Sequence, residues 1–305
     1  MNITSTTQDR TKSLGGTDAS AVLGLNRWKS ALSTWAIKTG QVEEDDISGK
    51  IAVRVGVKAE SIVAEMFCED TGKVVRRKLQ TVFHKQYPFL SANLDRLVEG
   101  EDALLECKTA SARKADEWAD GKTPIEYEIQ CQHYLAVTGK AKAYLAVLIG
   151  NEDFQIREFV RDEKLLDELV RKEVAFWQDF VVTKTMPATV SCQDSEVILA
   201  LYPMAKAPPV ELPAKTDELI DRIEAMSEDK KSLEGQIEQA KNELKLKIGD
   251  NESGTTGKYR VTWKNQSTDR IDSKKLKAEM PDIAKQFTNT TETRVLRITE
   301  RKEKV

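Results

Sequence analysis

Asp95 and the run Glu106-Cys107-Lys108, eleven residues further on, are the positions whose types and spacing point most directly to chemistry. Phe89, Leu90 and Leu94 form an apolar run that Asp95 closes. Arg96 to Asp102 supply a turn with Gly100 near its tip, and Ala103 to Lys108 read as a buried strand. That hairpin carries Asp95 beside Glu106. Residues two apart on a strand share a face, so Glu106 and Lys108 point one way while Leu105 and Cys107 point into the core. A carboxylate and an ammonium on an apolar strand are costly to bury. A divalent cation and an anionic substrate would offset that cost. The ordinary alternative is a surface salt bridge on a half-exposed strand, which is worth little. Its weakness is the company the hairpin keeps: Glu60 stands on a helix before it and Gln130 on a helix after it.

Those groups need elements to position them. Leu14 to Gly24 predicts a first helix, with Thr17 or Asp18 as its N-cap. Trp28–Thr39 predicts a second, and Ser48–Thr71 a third that carries Glu60 and stops at Gly72. The third helix has an apolar stripe of Val55, Ile62, Val63, Met66 and Phe67. A strand is expected over Lys73–Val82, then the hairpin, then a short helix over Lys114–Asp120. Ile125–Thr138 is a helix bearing Gln130, His133 and Leu135, with Gly139 as its stop. Ala143–Ile149 is apolar throughout and therefore a central strand, Phe154–Val160 its edge neighbour, and Asp162–Lys184 the last helix of this unit. The order predicts an α/β fold with a central mixed β-sheet flanked by helices.

Prolines at 203, 208, 209 and 213 mark a boundary, giving a first domain over 1–204 and a C-terminal extension over 205–305. Residues 215–248 predict one long charged helix whose apolar positions step by fours and threes, with Lys230 in one slot. Beyond it, Tyr259–Lys264 alternates as a strand, Ser273–Met280 as a short basic helix and Thr293–Ile298 as a closing strand.

Composition bounds the class. The chain has 305 residues, 40% of them hydrophobic, with five tryptophans, enough for a packed core. No run of 18 apolar residues suggests a membrane span. The polar start, Met1 to Thr7, lacks an apolar signal region, so a cytoplasmic protein is expected, and residues 1–12 are expected to be flexible. The four cysteines are scattered without a C-x-x-C pair, which fits free thiols better than a zinc site or disulfides. A net charge of −3 does not suit a passive nucleic-acid coat, but it does not exclude an enzyme that grips DNA through metals and a local basic lining.

Taken together, Arg10…Gly15-Gly16-Thr17-Asp18-Ala19, Gly56-x-x-x-Glu60, Asn93-Leu94-Asp95, Glu106-Cys107-Lys108 and Tyr127-x-x-Gln130-x-x-His133 followed by Gly139 resemble the PD-(D/E)xK nuclease superfamily. Within it they resemble the YqaJ-like viral recombinase group related to lambda exonuclease. The resemblance covers about residues 10–185. Leu94 stands where the superfamily has its name-giving proline, and Thr17 where a serine is usual. It implies a restriction-endonuclease-like core and Mg²⁺-dependent phosphodiester hydrolysis with two ions per site, Mn²⁺ being able to substitute. Asp95 would bridge the metals and Glu106 would hold the one on the nucleophile side. The Cys107 backbone carbonyl would be a further ligand, and Glu60 would complete the second metal directly or through water. Lys108 would orient or deprotonate the attacking water, and Gln130 would position water or phosphate. Arg10 and Thr17 lie where such relatives hold a DNA 5′-phosphate; a helix N-terminus at Gly16 would favour the anion, while Asp18 would oppose it. His133 and Cys107's side chain are expected to be structural, and Cys192 alone does not support an iron–sulfur cluster.

The resemblance therefore implies a 5′→3′ exonuclease on double-stranded DNA ends, leaving 3′ tails for a RecT-type single-strand annealing partner in phage-type recombination. A homo-oligomer, such as a trimeric ring, would give processivity. Two alternatives stay open: a structure- or sequence-directed endonuclease on the same core, and a non-catalytic DNA-binding assembly factor. The role of 205–305 is left open by its residue content.

Overall fold

The computed structural model describes residues 10–188 and 190–300. The chain divides into two compact units, Met1–Pro203 and Met204–Val305. In the first, α1 (Gly16–Val22), α2 (Ala31–Lys38) and α3 (Ile51–Thr71) precede the strands β1 (Val75–Arg77), β2 (Val82–Phe83), β3 (Ser91–Ala92), β4 (Arg96–Val98) and β5 (Ala103–Ala110). Then come α4 (Ile125–Thr138), β6 (Lys142–Ile149), β7 (Asp153–Val160), α5 (Glu163–Phe176) and α6 (Ser195–Leu201).

Five strands form one mixed sheet in the order β1-β4-β5-β6-β7. β5 and β6 are parallel and the other neighbours antiparallel. This is the helix-flanked mixed sheet expected of a restriction-endonuclease-like core. β6 is central because its whole run from Ala143 to Val147 is buried, and both its edges are paired. The alternation of β5 divides the core in two. Leu104 joins the cluster that includes Leu135 and Trp118, whereas Leu105 and Cys107 pack with Val63 and Phe67 of α3. Gly72 and Gly139 end α3 and α4 at φ of 68° and 72°, where a residue with a Cβ would be strained.

Several expected elements differ. The predicted strand over Lys73–Val82 breaks up: only Val75–Arg77 enters the main sheet, and Val82–Phe83 pairs with Ser91–Ala92 in a separate ribbon. The turn expected over Arg96–Asp102 begins later, because Arg96, Leu97 and Val98 form a strand paired on both sides. α2 starts at Ala31, not Trp28: Asn26 Oδ1 accepts the N–H groups of Trp28 and Lys29, and Ser30 caps the helix. In α3, Val63 and Phe67 are buried, but Val55 and Ile62 are exposed. Residues 112–121 are two 3₁₀ turns rather than an α-helix, with Asp120 at φ 55°. α5 passes into a wider π turn over Trp177–Val182, and it is not the last helix of the unit, because α6 follows at Ser195–Leu201. Residues 10–12, expected to be flexible, form a 3₁₀ turn, and residues 1–9 lie outside the described set.

The second unit contains α7 (Thr216–Ile248), a ribbon of β8 (Ser253–Thr255) and β9 (Arg260–Thr262), and the short helices α8 (Ser273–Glu279) and α9 (Pro281–Gln286). The closing strand expected over Thr293–Ile298 is absent; those residues form no strand or helix. Among the described residues, no helix is long and apolar enough to cross a membrane.

His133 is fully buried, with Nδ1 at 2.7 Å from Glu173 Oε1 and Nε2 at 2.9 Å from the carbonyl oxygen of Ser91. Burial opposes charge on the ring, but Glu173 and the Ser91 carbonyl outweigh it and raise its pKa. His133→Ala strands a buried carboxylate and is expected to cost about 3–5 kcal/mol in urea unfolding at pH 6. A raised folded-state pKa stabilises fully below the unfolded value of about 6.5 and loses that contribution as pH rises through the folded value. The difference between wild type and variant should shrink accordingly above neutrality.

Candidate active site

Glu106 and Lys108 share the α4-facing side of β5, as the two-residue period requires. Glu106 is 3% exposed. Its Oε1 accepts hydrogen bonds from Lys108 Nζ at 2.6 Å and from Gln130 Nε2 at 2.7 Å. Gln130 Nε2 also lies 2.9 Å from the hydroxyl of Tyr134, one turn further along α4. Lys108 Nζ stands 5.3 Å over the ring of Tyr127, which stacks on buried Trp118 at 5.7 Å. Helix α4 therefore presents Tyr127, Gln130 and Tyr134 at i, i+3 and i+7, on one stripe facing β5.

Asp95 enters from the start of β4. Its Oδ2 accepts the backbone N–H of Cys107 at 2.8 Å. In a strand the N–H and C=O of one residue leave on the same side. The Cys107 carbonyl is thus directed to the Asp95 side, while its thiol lies in the core beneath α3. Burial raises the pKa of that thiol, and Asp95 adds to the effect.

Two carboxylates thus lie side by side, Glu106 buried and Asp95 half-buried. Burial raises the pKa of Asp95, against the pull of the Cys107 N–H and Lys108. Burial likewise pushes Glu106 up to about 7; Lys108 opposes the shift and Asp95 adds to it. Lys108 shifts the other way from a typical buried lysine: burial disfavours its charge, but Glu106 and Asp95 more than compensate and raise its pKa. Glu106 Oε2 is buried with no donor to meet it, and the side chain faces the Asp95 carboxyl. A lone oxygen of this kind, between carboxylates that repel one another, suits a hard divalent cation.

Glu60 does not join them directly. Arg96 pairs with Leu105 across the strands, which puts it on the α3 side of the sheet, where its guanidinium takes Glu60 Oε1. Arg77 adds a weaker contact at 3.4 Å. Glu60 still adds to the upward shift of Asp95. Among the described residues, no group of three His, Cys, Asp or Glu side chains is gathered as a metal set. The residues that fit a cation as they stand are Asp95, Glu106 and the Cys107 carbonyl.

Arg10 and Thr17 line a cleft of about 550 Å³ that Asp95, Asn93, Tyr134 and Lys38 also line. Arg10 is mostly exposed, and among the described residues its ion pair is a loose one with Glu44 at 3.8 Å. Lys38 is buried; its Nζ donates to the Arg10 carbonyl at 2.6 Å and pairs with Asp18 at 2.7 Å. Asp18 is held by the Gly15 N–H at 3.0 Å and by Lys29 at 2.8 Å. Burial would raise its pKa, but the two lysines pull it well below the usual carboxylate range. Its charge is therefore spent inside the protein, which removes the objection Asp18 raised to an anion here. α1 has only seven residues, so cations rather than its dipole would attract an anion.

Arg96, Lys38 and Tyr134 carry weight that spacing does not reveal. Arg96 sits in the expected turn, Lys38 meets Asp18 from twenty positions further along the chain, and Tyr134 reads simply as a helix-core aromatic. Gly16 belongs with them. A Cβ there would lie 2.7 Å from the Tyr134 ring and 2.8 Å from Gln130 Cγ. Gly16→Ala is expected to shift both side chains, costing about 1–3 kcal/mol of stability. Activity should fall together with the packing, and a crystal structure of the variant would show Gln130 displaced.

Residues 7–141 match the family described as "YqaJ-like viral recombinase domain". A Bacillus subtilis (strain 168) protein, "Uncharacterized protein YqaJ", is 40% identical over 281 residues, covering 90% of this chain and 87% of that one. Among solved structures, an alkaline exonuclease from Laribacter hongkongensis is similar at 18% identity and a TM-score of 0.49, covering 58% of this chain and 91% of that one. A phage related exonuclease from Haemophilus somnus 129PT is similar at 12% identity and a TM-score of 0.43, covering 56% and 96%.

Proposed function

The chain belongs to the YqaJ-like viral recombinase family, and from that premise we propose that it is a metal-dependent exodeoxyribonuclease. It would act 5′→3′ on double-stranded DNA ends and leave 3′ single-stranded tails for recombination. One observation carries the reading: Glu106 is buried beside Asp95 with Oε2 unpartnered, while Lys108 and Gln130 both hold its Oε1. A stranded oxygen alone would not set the site apart, since Glu173 Oε2 beside His133 is stranded too; a structural salt bridge, however, would not need a second carboxylate against the first.

Asp95, Glu106 and the Cys107 carbonyl would hold Mg²⁺, with Mn²⁺ able to substitute. Glu60 would serve a second ion on leaving Arg96. When bound, the divalent ions supply Lewis acidity at the phosphate and offset the charge of the carboxylates. The chain's own groups do the rest. Lys108, whose charge Glu106 and Asp95 stabilise, orients the attacking water and neutralises a non-bridging phosphoryl oxygen rather than taking a proton. Gln130 fixes Glu106 and so fixes Lys108, and Tyr127 supports the ammonium from beneath. Arg10 and Thr17, with Lys38 behind them, would receive a 5′-phosphate in the cleft that leads to Asp95.

The test uses linear duplexes with a 5′-phosphate or 5′-hydroxyl and a covalently closed circle, all in Mg²⁺. The expected result is loss of the linear substrates from their 5′ ends with the circle intact. Cutting of the circle would replace this reading with an endonuclease. Arg10→Ala is expected to erase a preference of about tenfold for the phosphorylated end, measured by the ratio of the two initial rates. A ring of three copies would keep the enzyme on DNA and pass the tail to a RecT-type annealing protein; sedimentation and co-purification test those two points.

A further inference from the structure

Helix α7 carries a heptad pattern that stays uncovered along nearly its whole length. With Ile223, Lys230, Ile237 and Leu244 at a, the d positions are Leu219, Met226, Leu233 and Ala240. The five large apolar residues other than Ile223 are between 45% and 57% exposed. Thirty-three residues give a rod of roughly 50 Å, long enough for more than four heptads. The charges decide what can lie against it.

A parallel pairing of two copies would set Lys230 against Lys230 at a core position and Asp229 against Glu234 at both flanks. Like charges at those positions oppose that arrangement. Antiparallel pairing removes both conflicts when Lys230 lies opposite Leu233. In that register Leu219 meets Leu244, Ile223 meets Ala240 and Met226 meets Ile237, so every large apolar position except Leu233 finds an apolar neighbour. Lys230 lays its stem along Leu233 and keeps its ammonium at the rim. On the flank, Arg222 meets Glu243, and two-fold symmetry supplies this attractive pair twice.

We propose that two copies of the chain associate through α7 as an antiparallel two-stranded coiled coil, with Leu219 of each against Leu244 of the other. The pairing is independent of any ring formed by the nuclease unit. The readout must therefore be the contact itself rather than particle mass.

Cys68 and Cys192, the two cysteines that are not buried, are first replaced by serine in the full chain. Leu219→Cys and Leu244→Cys are then introduced singly and together, and oxidised samples are compared on non-reducing gels. The pairing predicts a cross-linked dimer for the double variant and monomers for each single variant. Positions 219 and 244 are roughly 37 Å apart along one helix, so the bond cannot form within it. Cross-linked dimers in both single variants would show parallel pairing. Monomers throughout would show that the stripe is covered by something other than a second copy. Either result overturns the proposal.

Charge reversal tests the same register without touching the seam. Introduced into the double-cysteine variant, Arg222→Glu is expected to slow formation of the cross-link between positions 219 and 244 about tenfold, and adding Glu243→Arg is expected to restore it. Equal slowing by the single and double reversals would overturn the register.

Discussion

Lys108→Ala is expected to slow hydrolysis of linear duplex DNA by roughly 10³-fold, the range supplied by a group that orients the nucleophile and stabilises developing charge. The loss should fall on kcat, because in the proposed mechanism Lys108 would act on the phosphoryl group as it reacts. DNA binding, measured by fluorescence anisotropy in Ca²⁺, should change little, since the cleft residues Arg10 and Lys38 are untouched. Lys108→Arg should not rescue. The ammonium reaches Glu106 Oε1 at 2.6 Å over the Tyr127 ring, and a planar guanidinium cannot keep both contacts in that space. Activity within tenfold of wild type in Lys108→Ala would remove the lysine from the mechanism.

The second large effect is on stability and runs through Glu106. Its folded-state pKa of about 7 lies above the ordinary 4.5, so the folded protein holds a proton that the unfolded chain releases between those values. In EDTA, wild-type stability is therefore expected to fall as pH rises from about 4.5 to 7, by up to about 3 kcal/mol from this group alone. Asp95 shifts in the same direction and adds to the fall. Mg²⁺ should reverse it: an ion at about one hundred times its Kd adds about 2.7 kcal/mol. Glu106→Gln keeps the size of the side chain and the contact with Gln130 but cannot ionise. Its pH dependence in EDTA should be flatter by the same amount, its response to Mg²⁺ small and its nuclease activity lost. Urea unfolding of both proteins at pH 5 and pH 8, with and without Mg²⁺, checks all of this. An equal fall with pH in the variant would place the titrating group elsewhere.

The site was more legible in the sequence than its surroundings. Asp95, Glu106 and Lys108 could be placed because a strand repeats every two residues, and Gln130 because Gly139 fixes where its helix ends. The partnership of Arg96 with Glu60 could not. It depends on Arg96 belonging to a strand, and the charged run from Arg96 to Asp102 has the composition of a turn. The cluster of Asp18, Lys29 and Lys38 joins two helices, and no local period relates its members. Residues 293–298 show the opposite failure: a strand-like pattern without a strand, because pairing, which a pattern cannot supply, makes a strand. The seam of α7 was legible as a period, while its charges become informative only against a second copy.

In the proposed mechanism, Asp95 and Glu106 would hold a divalent ion that the hydrolysis of DNA requires. Digestion of end-labelled linear duplex tests it most directly, with wild type in Mg²⁺, wild type in EDTA and Asp95→Ala in Mg²⁺ run side by side. The predicted result is release of label by wild type in Mg²⁺, with the other two reactions at the level of the buffer control. Release at the wild-type rate in EDTA, or by Asp95→Ala, would contradict it.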